Sequence, residues 1–247
     1  MLSATRKSLS LRHSIFAPRH LLMAALMAFF VAASFVPAIA TSAPGAHDEP
    51  LTIYLVRHGQ TDWNKEGRLQ GDTDNSLNAT GRSQAYANAE ALANVQVDHI
   101  YPSGLARAIE TAEVFAARAP ITPLTMLNER SRGKYEGEVA EEVADEFRPR
   151  FTDLDDDMDG GESLSSIANR VGLATREIVA SHPSGTVMIV GHSGVNPLVI
   201  AELIGISPVK AIEEIRQGND EVIKLKVFPN GHVSMWKMVQ EHELEMF

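Results

Sequence analysis

Short apolar runs alternate with amphipathic segments along most of the chain. Residues 51–56 (LTIYLV) and 186–190 (TVMIV) are apolar and rich in β-branched residues, which is typical of buried strands. Elsewhere apolar residues recur every three to four positions, which indicates amphipathic helices. The predicted helices cover residues 81–94, 105–118, 139–147, 163–181 and 195–204, and the other predicted strands cover residues 97–101, 124–127, 222–228 and 232–239.

The order of these elements predicts an α/β fold. Strands and helices alternate up to residue 204, and Asn230-Gly231 between the last two strands is a strong hairpin signal. This order favours a three-layer α/β/α sandwich with a mostly parallel central sheet. Ligands of such sheets bind beyond the carboxyl ends of the strands. Two strands run into a Gly/His pair at that rim, at residues 58–59 and 191–192.

The first 40 residues have the pattern of an export signal. Four basic residues and no acidic one accompany an apolar run at 21–36, and small residues occupy positions 38 and 40. We interpret residues 1–40 as a signal peptide cleaved after Ala40 or, as a second choice, after Ala43; the alternative is an uncleaved membrane anchor. Residues 41–50 are then a flexible linker, and residues 51–247 form one domain outside the cytoplasm, periplasmic or secreted.

Charge and composition limit the classes of partner. The chain has 22 Lys and Arg against 32 Asp and Glu, and without residues 1–40 the balance is 18 against 32, a net charge of −14. No basic stripe is available for nucleic acid, so an anionic substrate needs a local cluster of cations. The absence of Cys excludes disulfides and thiolate chemistry. The acidic run at 153–157 lacks the Gly and Glu of a calcium loop, so we predict no metal and no cofactor.

Residues 57–61 (RHGQT) carry the first candidate chemistry. A neutral imidazole is a competent nucleophile towards phosphorus, and Arg clamps phosphate oxygens with paired hydrogen bonds. His58 lies at a strand end beside Arg57, and a second strand ends at His192. Arg107 opens a predicted helix whose N–H groups favour anions. The two His and two Arg residues could therefore converge on one phosphate.

These residues resemble the histidine phosphatase superfamily, in its phosphoglycerate mutase-like branch. The resemblance covers about residues 51–240 and rests on five segments in the family's order. These are LVRHGQTDWN at 55–64, SGLARAIETA at 103–112, LNE at 127–129 with YEG at 135–137, GGESL at 160–164, and VGHSG at 190–194. The sequence departs from the family pattern at Gly104, where Asp is usual, at Tyr135, where Trp is common, and at residues 196–197, where a basic residue is frequent.

The resemblance implies a role for each matched residue. His58 is the phosphorylated nucleophile, and Arg57, Arg107 and His192 form the anionic pocket. Asn64, together with the backbone of Gly59, Gln60 and Thr61, binds phosphate oxygens. Glu129 is the acid that protonates the leaving alcohol and then the base for water. A carboxyl group near phosphate is expected to have a raised pKa, so that it holds a proton to donate.

Three functions are compatible with this site. The first is a metal-independent phosphatase for a small phosphorylated substrate or a phosphoprotein, and the second is a phosphoglycerate mutase-like phosphoryl transfer. The third is an inactive module that binds a phosphorylated ligand. Mutases of this family usually carry a longer insertion that closes the site against water, whereas only 30 residues separate Glu129 from Gly160 here. The short insertion and the predicted export favour the phosphatase; the oligomeric state is not predicted.

Overall fold

The computed structural model describes residues 49–238 and, as backbone, the strand residues 244–246. The predicted signal peptide and most of the predicted linker lie outside the described residues. Within the described part of the chain, no helix is both long enough and apolar enough to cross a membrane.

Residues 49–238 and 244–246 contain six strands and seven α-helices. The strands are β1 (Leu51–Arg57), β2 (His99–Pro102), β3 (Gly185–Gly191), β4 (Val222–Val227), β5 (Val233–Met238) and β6 (Leu244–Met246). The helices are α1 (Asp62–Lys65), α2 (Ala79–Ala91), α3 (Ala106–Glu113), α4 (Ala144–Thr152), α5 (Leu164–Ser181), α6 (Asn196–Ile204) and α7 (Pro208–Glu214). Two 3₁₀ turns lie at Thr125–Leu127 and Gly133–Tyr135.

The strands form one mixed sheet in the order β2-β3-β1-β4-β5-β6. The α/β class is confirmed, but only the β2-β3 and β3-β1 pairings are parallel, where the sequence predicted a mostly parallel sheet. The three remaining pairings are antiparallel, because the chain returns from α7 onto the free edge of β1 and continues in hairpins. The parallel half is therefore the part that brings two strand ends together at one rim.

Apolar side chains cover both faces of the sheet. Successive residues of a strand point to opposite faces, and Leu55 and Val56 of β1 accordingly belong to different clusters. Leu55 packs in the cluster of α5 and α6, which includes Val171 and Val199. Val56 packs in the cluster of α2 and α3, which includes Phe115. This arrangement gives the predicted three layers.

Several predicted elements differ in the structure. The strand predicted at 124–127 is wrong: Leu124 makes a single bridge to Ser103, and a 3₁₀ turn follows. The guanidinium of Arg170 donates to the carbonyls of Met126 and Asn128, at 2.8 and 2.7 Å, so this segment has partners without a strand neighbour. Helix α7 was not predicted, although Ser207 caps it and a proline follows at its first position, which is a recognised helix-start signal.

Candidate active site

The parallel pairing of β1 and β3 positions the two histidines. Arg57 at the end of β1 is in register with Gly191 at the end of β3, so the next residues of both strands are neighbours. The backbone N–H of His58 donates to the carbonyl of Gly191 at 3.0 Å. The rings of His58 and His192 have centroids 5.1 Å apart, and both residues are buried. The strand ends thus bring together the pair that the sequence predicted.

His58 is held in a tautomer that suits nucleophilic attack. Its Nδ1 lies 2.8 Å from the carbonyl oxygen of Gly59, which can only accept, so Nδ1 carries the proton and Nε2 keeps a lone pair. Burial, and then the nearby charges of His192, Arg107 and Arg57, hold the pKa of His58 well below its usual range. The ring is therefore neutral near pH 7, as a nitrogen nucleophile requires.

Gly59 allows the chain to turn directly after the nucleophile. Its backbone N–H donates to Thr111 Oγ1 at 3.0 Å. A Cβ atom at Gly59 would overlap the backbone of Gly81 at the start of α2, so only glycine fits this close approach of the two segments. The contact fixes the loop that carries His58 against α2.

Two arginines and the second histidine have polar atoms without partners. Arg57 donates through Nη1 to the carbonyl of Gln217 at 2.7 Å, and Arg107 donates to the carbonyls of Thr73 and Gly71 at 2.8 and 2.7 Å. Their Nε atoms, and Nδ1 of His192, are buried with no hydrogen-bond partner among the described residues. Buried unpaired donors are costly, so this cluster is suited to an anion such as phosphate.

Ser103 orients the second histidine. Its hydroxyl lies 2.7 Å from His192 Nε2 and accepts the backbone N–H of Leu105 at 3.3 Å. This contact occupies Nε2 and leaves Nδ1 as the ring nitrogen that has no partner among the described residues. Burial, and then the nearby charges of Arg107 and Arg57, hold the pKa of His192 well below its usual range, so this ring is neutral near pH 7.

Glu129 is buried next to this cluster. Its Oε2 accepts the backbone N–H of Gly194 at 3.0 Å and the hydroxyl of Ser193 at 3.3 Å, while Oε1 accepts the N–H of Arg130 at 2.8 Å. Burial alone would raise its pKa, but Arg132 and these hydrogen bonds outweigh burial, and the pKa is lowered. The raised pKa was predicted for a carboxyl group beside phosphate; the protein groups around Glu129 lower its pKa, and the negative charge of a phosphate would act in the raising direction.

One cavity of about 250 Å³ is lined by most of these groups, whereas His192 is buried behind His58 and is not part of the lining. Its lining includes five of the residues predicted for the site, namely Arg57, His58, Asn64, Arg107 and Glu129. A larger cavity of about 750 Å³ adjoins it at Arg57 and Ser193 but does not reach His58. The smaller cavity is the candidate active site, and the larger one is space next to it.

The structure gives Gln60 and Thr61 positions behind the cavity. The Gln60 side chain accepts from Asn78 Nδ2 at 3.0 Å, at the start of α2. Thr61 caps α1 and donates through Oγ1 to Gln70 at 2.9 Å, and its N–H donates to Asn64 Oδ1 at 3.2 Å. Both residues hold the loop that presents Asn64. Their predicted contact with phosphate through the backbone stays a prediction.

Several other residues of the site had no assigned role in the sequence analysis. Arg132, Gln70 and Ser193 line the cavity, and Ser103 lies behind His192. Ser103 and Ser193 lie inside the family-like segments at 103–112 and 190–194, and this position could have indicated a role in the site. Nothing in the local sequence distinguishes Arg132 from a surface arginine, yet it is buried beside Glu129.

The acidic residues of the described chain form no metal site. No group of three or more His, Asp or Glu side chains among the described residues is arranged to hold a metal ion. In the acidic run, Asp153 accepts the N–H groups of Asp155 and Asp156, and Asp156 pairs with Arg150 at 2.7 Å. These carboxylates stabilise their own loop.

Known proteins are similar to this chain over most of its length. The family model for the histidine phosphatase superfamily (branch 1) matches residues 53–238. Phosphoglycerate mutase-like protein 4 of Arabidopsis thaliana is 40% identical over 154 residues, 58% of this chain and 66% of that protein. A probable phosphoglycerate mutase of Proteus mirabilis is 31% identical over 182 residues, 71% of this chain and 84% of that protein.

Several solved structures are also similar to this chain over most of its length. YhfR of Bacillus stearothermophilus matches with a TM-score of 0.66 and 30% identity, over 74% of this chain and 94% of that one. A mycobacterial glucosyl-3-phosphoglycerate phosphatase matches with a TM-score of 0.62 and 29% identity, over 70% of this chain and 92% of that one.

A buried histidine pair at two parallel strand ends, framed by arginines and one carboxylate, defines a protein of the class that handles phosphoryl groups. The chain belongs to the histidine phosphatase superfamily, branch 1, whose family model covers residues 53–238.

Proposed function

We propose that this protein is a metal-independent phosphatase that hydrolyses phosphate monoesters through a phosphohistidine on His58. The proposal rests on the neutral His58 ring, which lies 5.1 Å from His192 and lines a cavity with Arg57 and Arg107, whose Nε atoms have no hydrogen-bond partner among the described residues. Phosphoryl transfer needs positioning and positive charge more than covalent help from the protein. The described residues supply both without a metal.

The reaction follows in two balanced steps. His58 Nε2 attacks phosphorus while the bond to the ester oxygen breaks. Glu129, which takes up a proton when the negative charge of the bound ester raises its pKa, gives this proton to the ester oxygen, so the alcohol leaves. Glu129 then takes a proton from water, whose oxygen attacks phosphorus and breaks the N–P bond, which releases inorganic phosphate and restores His58. Arg57, Arg107 and His192 stabilise the charge on the transferring group in both steps.

Access of water favours hydrolysis over mutase chemistry. The segment between Glu129 and Gly160 is short, with a 3₁₀ turn and the single α-helix α4. The adjoining cavity of about 750 Å³ gives the leaving alcohol a way out and water a way in. A phosphoenzyme is protected only where water is excluded. The relatives include both mutase-like proteins and a phosphatase, so the acceptor has to be measured.

The test is to measure products from p-nitrophenyl phosphate and from 3-phosphoglycerate, each with and without EDTA. We expect release of inorganic phosphate from at least one substrate at an unchanged rate in EDTA, because the proposed mechanism uses no metal. Isomerisation of 3-phosphoglycerate without phosphate release would favour the mutase instead. Loss of hydrolysis in EDTA would contradict the metal-independent mechanism, and binding of phosphate esters without turnover would favour the inactive module.

We infer a small phosphorylated molecule or a phosphorylated protein side chain as the substrate. The site cavity is about 250 Å³, which accommodates a phosphate group and a few attached atoms. The acidic chain argues against nucleic acid as a partner, because 32 Asp and Glu oppose 22 Lys and Arg.

We also propose that the protein acts outside the cytoplasm. The proposal rests on the basic and apolar pattern of residues 1–40. Mass spectrometry of the protein from its native host is expected to find a new N-terminus after Ala40 or Ala43. An intact N-terminus in the membrane fraction would favour the anchor, and an intact N-terminus in the cytosol would contradict export.

A further inference from the structure

Arg57 is held in place by the loop that precedes β4, residues 215–221. Its Nη1 donates to the backbone carbonyl of Gln217 at 2.7 Å, whereas its Nε is buried with no hydrogen-bond partner among the described residues. The same loop contacts the nucleophile, since Nδ2 of Asn219 donates to the backbone carbonyl of His58. The direction in which the Arg57 guanidinium points therefore depends on where this loop lies.

Two buried amide side chains fix the loop against the end of β1. Gln217 is buried, and its Nε2 donates to the backbone carbonyls of Leu55 and Glu221, both at 2.9 Å. Its Oε1 accepts a hydrogen bond from Nδ2 of Asn196 at 2.7 Å, and this nitrogen also donates to the carbonyl of Val56 at 3.3 Å. We call these two residues the Asn196–Gln217 pair.

The orientation of both amide groups follows from their partners. The backbone carbonyls of Leu55, Val56 and Glu221 can only accept, so the amide nitrogens must face them. Asn196 Oδ1 then has no hydrogen-bond partner among the described residues, and it lies where a Cβ atom on Gly191 would overlap it. An unpaired buried acceptor is costly, and an apolar side chain of similar shape would avoid this cost. What the amide of Asn196 contributes is therefore the two hydrogen bonds of Nδ2.

The Asn196–Gln217 pair also joins the two strand ends of the site. Asn196 is the first residue of α6, and its backbone N–H donates to the carbonyl of His192 at 3.0 Å. It lies at residues 196–197, where the sequence departs from the family pattern. A chain of hydrogen bonds therefore runs from His192 through both amides to the loop that holds Arg57.

We propose that Asn196 and Gln217 are positioning residues that aim the Arg57 guanidinium at the transferring phosphoryl group. The inference rests on the proposed phosphatase function and deepens it, because neither amide is among the residues that line the site cavity. Arginine clamps phosphate oxygens with N–H groups that lie in one fixed plane, so a rotation of the guanidinium misaligns all of them. A misplacement of about 1 Å can lower the rate of an enzyme by roughly a hundredfold.

The experiment replaces each amide with an apolar side chain of similar size. Gln217→Met removes all the side-chain hydrogen bonds of the loop, and Asn196→Leu removes only those of Nδ2, so the second variant keeps the test open if the first does not fold. We expect kcat for p-nitrophenyl phosphate to fall by roughly tenfold to a hundredfold, because Arg57 acts on charge that develops in the transition state. KM should change less than kcat.

Two further readouts separate positioning from stability. Arg57→Ala should retain a measurable rate, since loss of one such donor usually costs about a hundredfold to a thousandfold. In that background Gln217→Met should lower kcat by less than about twofold more, because no guanidinium is left to aim. Orthovanadate mimics the transferring phosphoryl group, so its Kd should rise in Gln217→Met by about the factor by which kcat falls, and should not rise further in the double variant.

Thr175→Val is the matched control for loss of a buried hydrogen bond. The hydroxyl of Thr175 donates to the carbonyl of Val171 at 2.8 Å on α5, and this residue does not line the site cavity. The variant should lower the melting temperature and leave kcat and the Kd of orthovanadate unchanged.

Losses that multiply in Arg57→Ala with Gln217→Met, or a wild-type kcat in both folded amide variants, would overturn the inference. Hydrolysis of p-nitrophenyl phosphate by the wild-type protein tests the phosphatase by itself. If the wild-type protein binds orthovanadate without turnover, the proposed function fails, and the Kd values still decide whether the Asn196–Gln217 pair acts through Arg57.

Discussion

Replacing His58 with alanine is expected to lower phosphate-ester hydrolysis by roughly four orders of magnitude or more, to the background of the assay. Without the imidazole, no covalent intermediate can form, and the neighbouring groups cannot substitute for it. His192 is 5.1 Å away between ring centres and is occupied through Nε2 by Ser103. The measurement is phosphate release from p-nitrophenyl phosphate, together with acid-labile ³²P labelling of the protein by a labelled substrate.

His99→Ala provides the control for this prediction. His99 lies at the start of β2, where its Nε2 is hydrogen-bonded to Thr122 Oγ1 at 2.8 Å. It is not among the residues that line the site cavity. It should retain wild-type hydrolysis and wild-type labelling. Hydrolysis by His58→Ala at the wild-type rate, or acid-stable labelling, would rule out the phosphohistidine mechanism.

The adjacency of the two histidines could be predicted from the sequence because backbone geometry fixes it. Two apolar strands each run into a Gly/His pair, and the carboxyl ends of parallel strands share one rim. In the structure, Arg57 of β1 is opposite Gly191 of β3, so His58 and His192, which follow them, are neighbours. The local pattern was sufficient here, since each strand is visible in the sequence as a short β-branched apolar run that ends at a Gly/His pair.

Features that depend on distant side chains could not be predicted in this way. The sequence at 124–127 is typical of a strand. In the structure, the guanidinium of Arg170 on α5 donates hydrogen bonds to the carbonyls of Met126 and Asn128, and the segment forms a 3₁₀ turn. Arg132 looks like a turn residue, and its burial results from Phe151 on the following helix. The pKa of Glu129 also depends on Arg132, which lowers it, and no local pattern in the sequence indicates that these two residues are neighbours.

The antiparallel half of the sheet also depends on contacts between distant parts of the chain. The sequence predicted a hairpin within residues 222–239, but its local pattern does not indicate which other strand the hairpin pairs with. In the structure β4 pairs with β1 in antiparallel register, Val56 opposite Val222, and so seals the edge beside the nucleophile. Gln217, just before β4, accepts from Arg57 and donates to the carbonyl of Leu55, so the antiparallel half helps to position the arginine of the site.

Replacing Glu129 with glutamine is expected to separate substrates by their leaving groups. An alkyl phosphate needs a proton on the leaving oxygen, so its kcat/KM should fall by roughly a hundredfold to ten-thousandfold, the usual contribution of a general acid. p-Nitrophenolate leaves without a proton, so kcat/KM for p-nitrophenyl phosphate should fall by less than about tenfold. The amide oxygen of glutamine can still accept the N–H of Gly194, which preserves the position of the side chain.

The same variant tests the second half of the proposed role, because Glu129 also activates water. Loss of the base slows hydrolysis of the phosphoenzyme, so a stopped-flow trace with p-nitrophenyl phosphate should show a burst of one equivalent of p-nitrophenolate per site. The control is Glu202→Gln, a surface carboxylate paired with Arg176 at 2.6 Å, which should show no change in either readout. If Glu129→Gln lowers kcat/KM equally for alkyl and p-nitrophenyl substrates, Glu129 is not the acid, and its burial beside Arg132 would then serve only to position the cations.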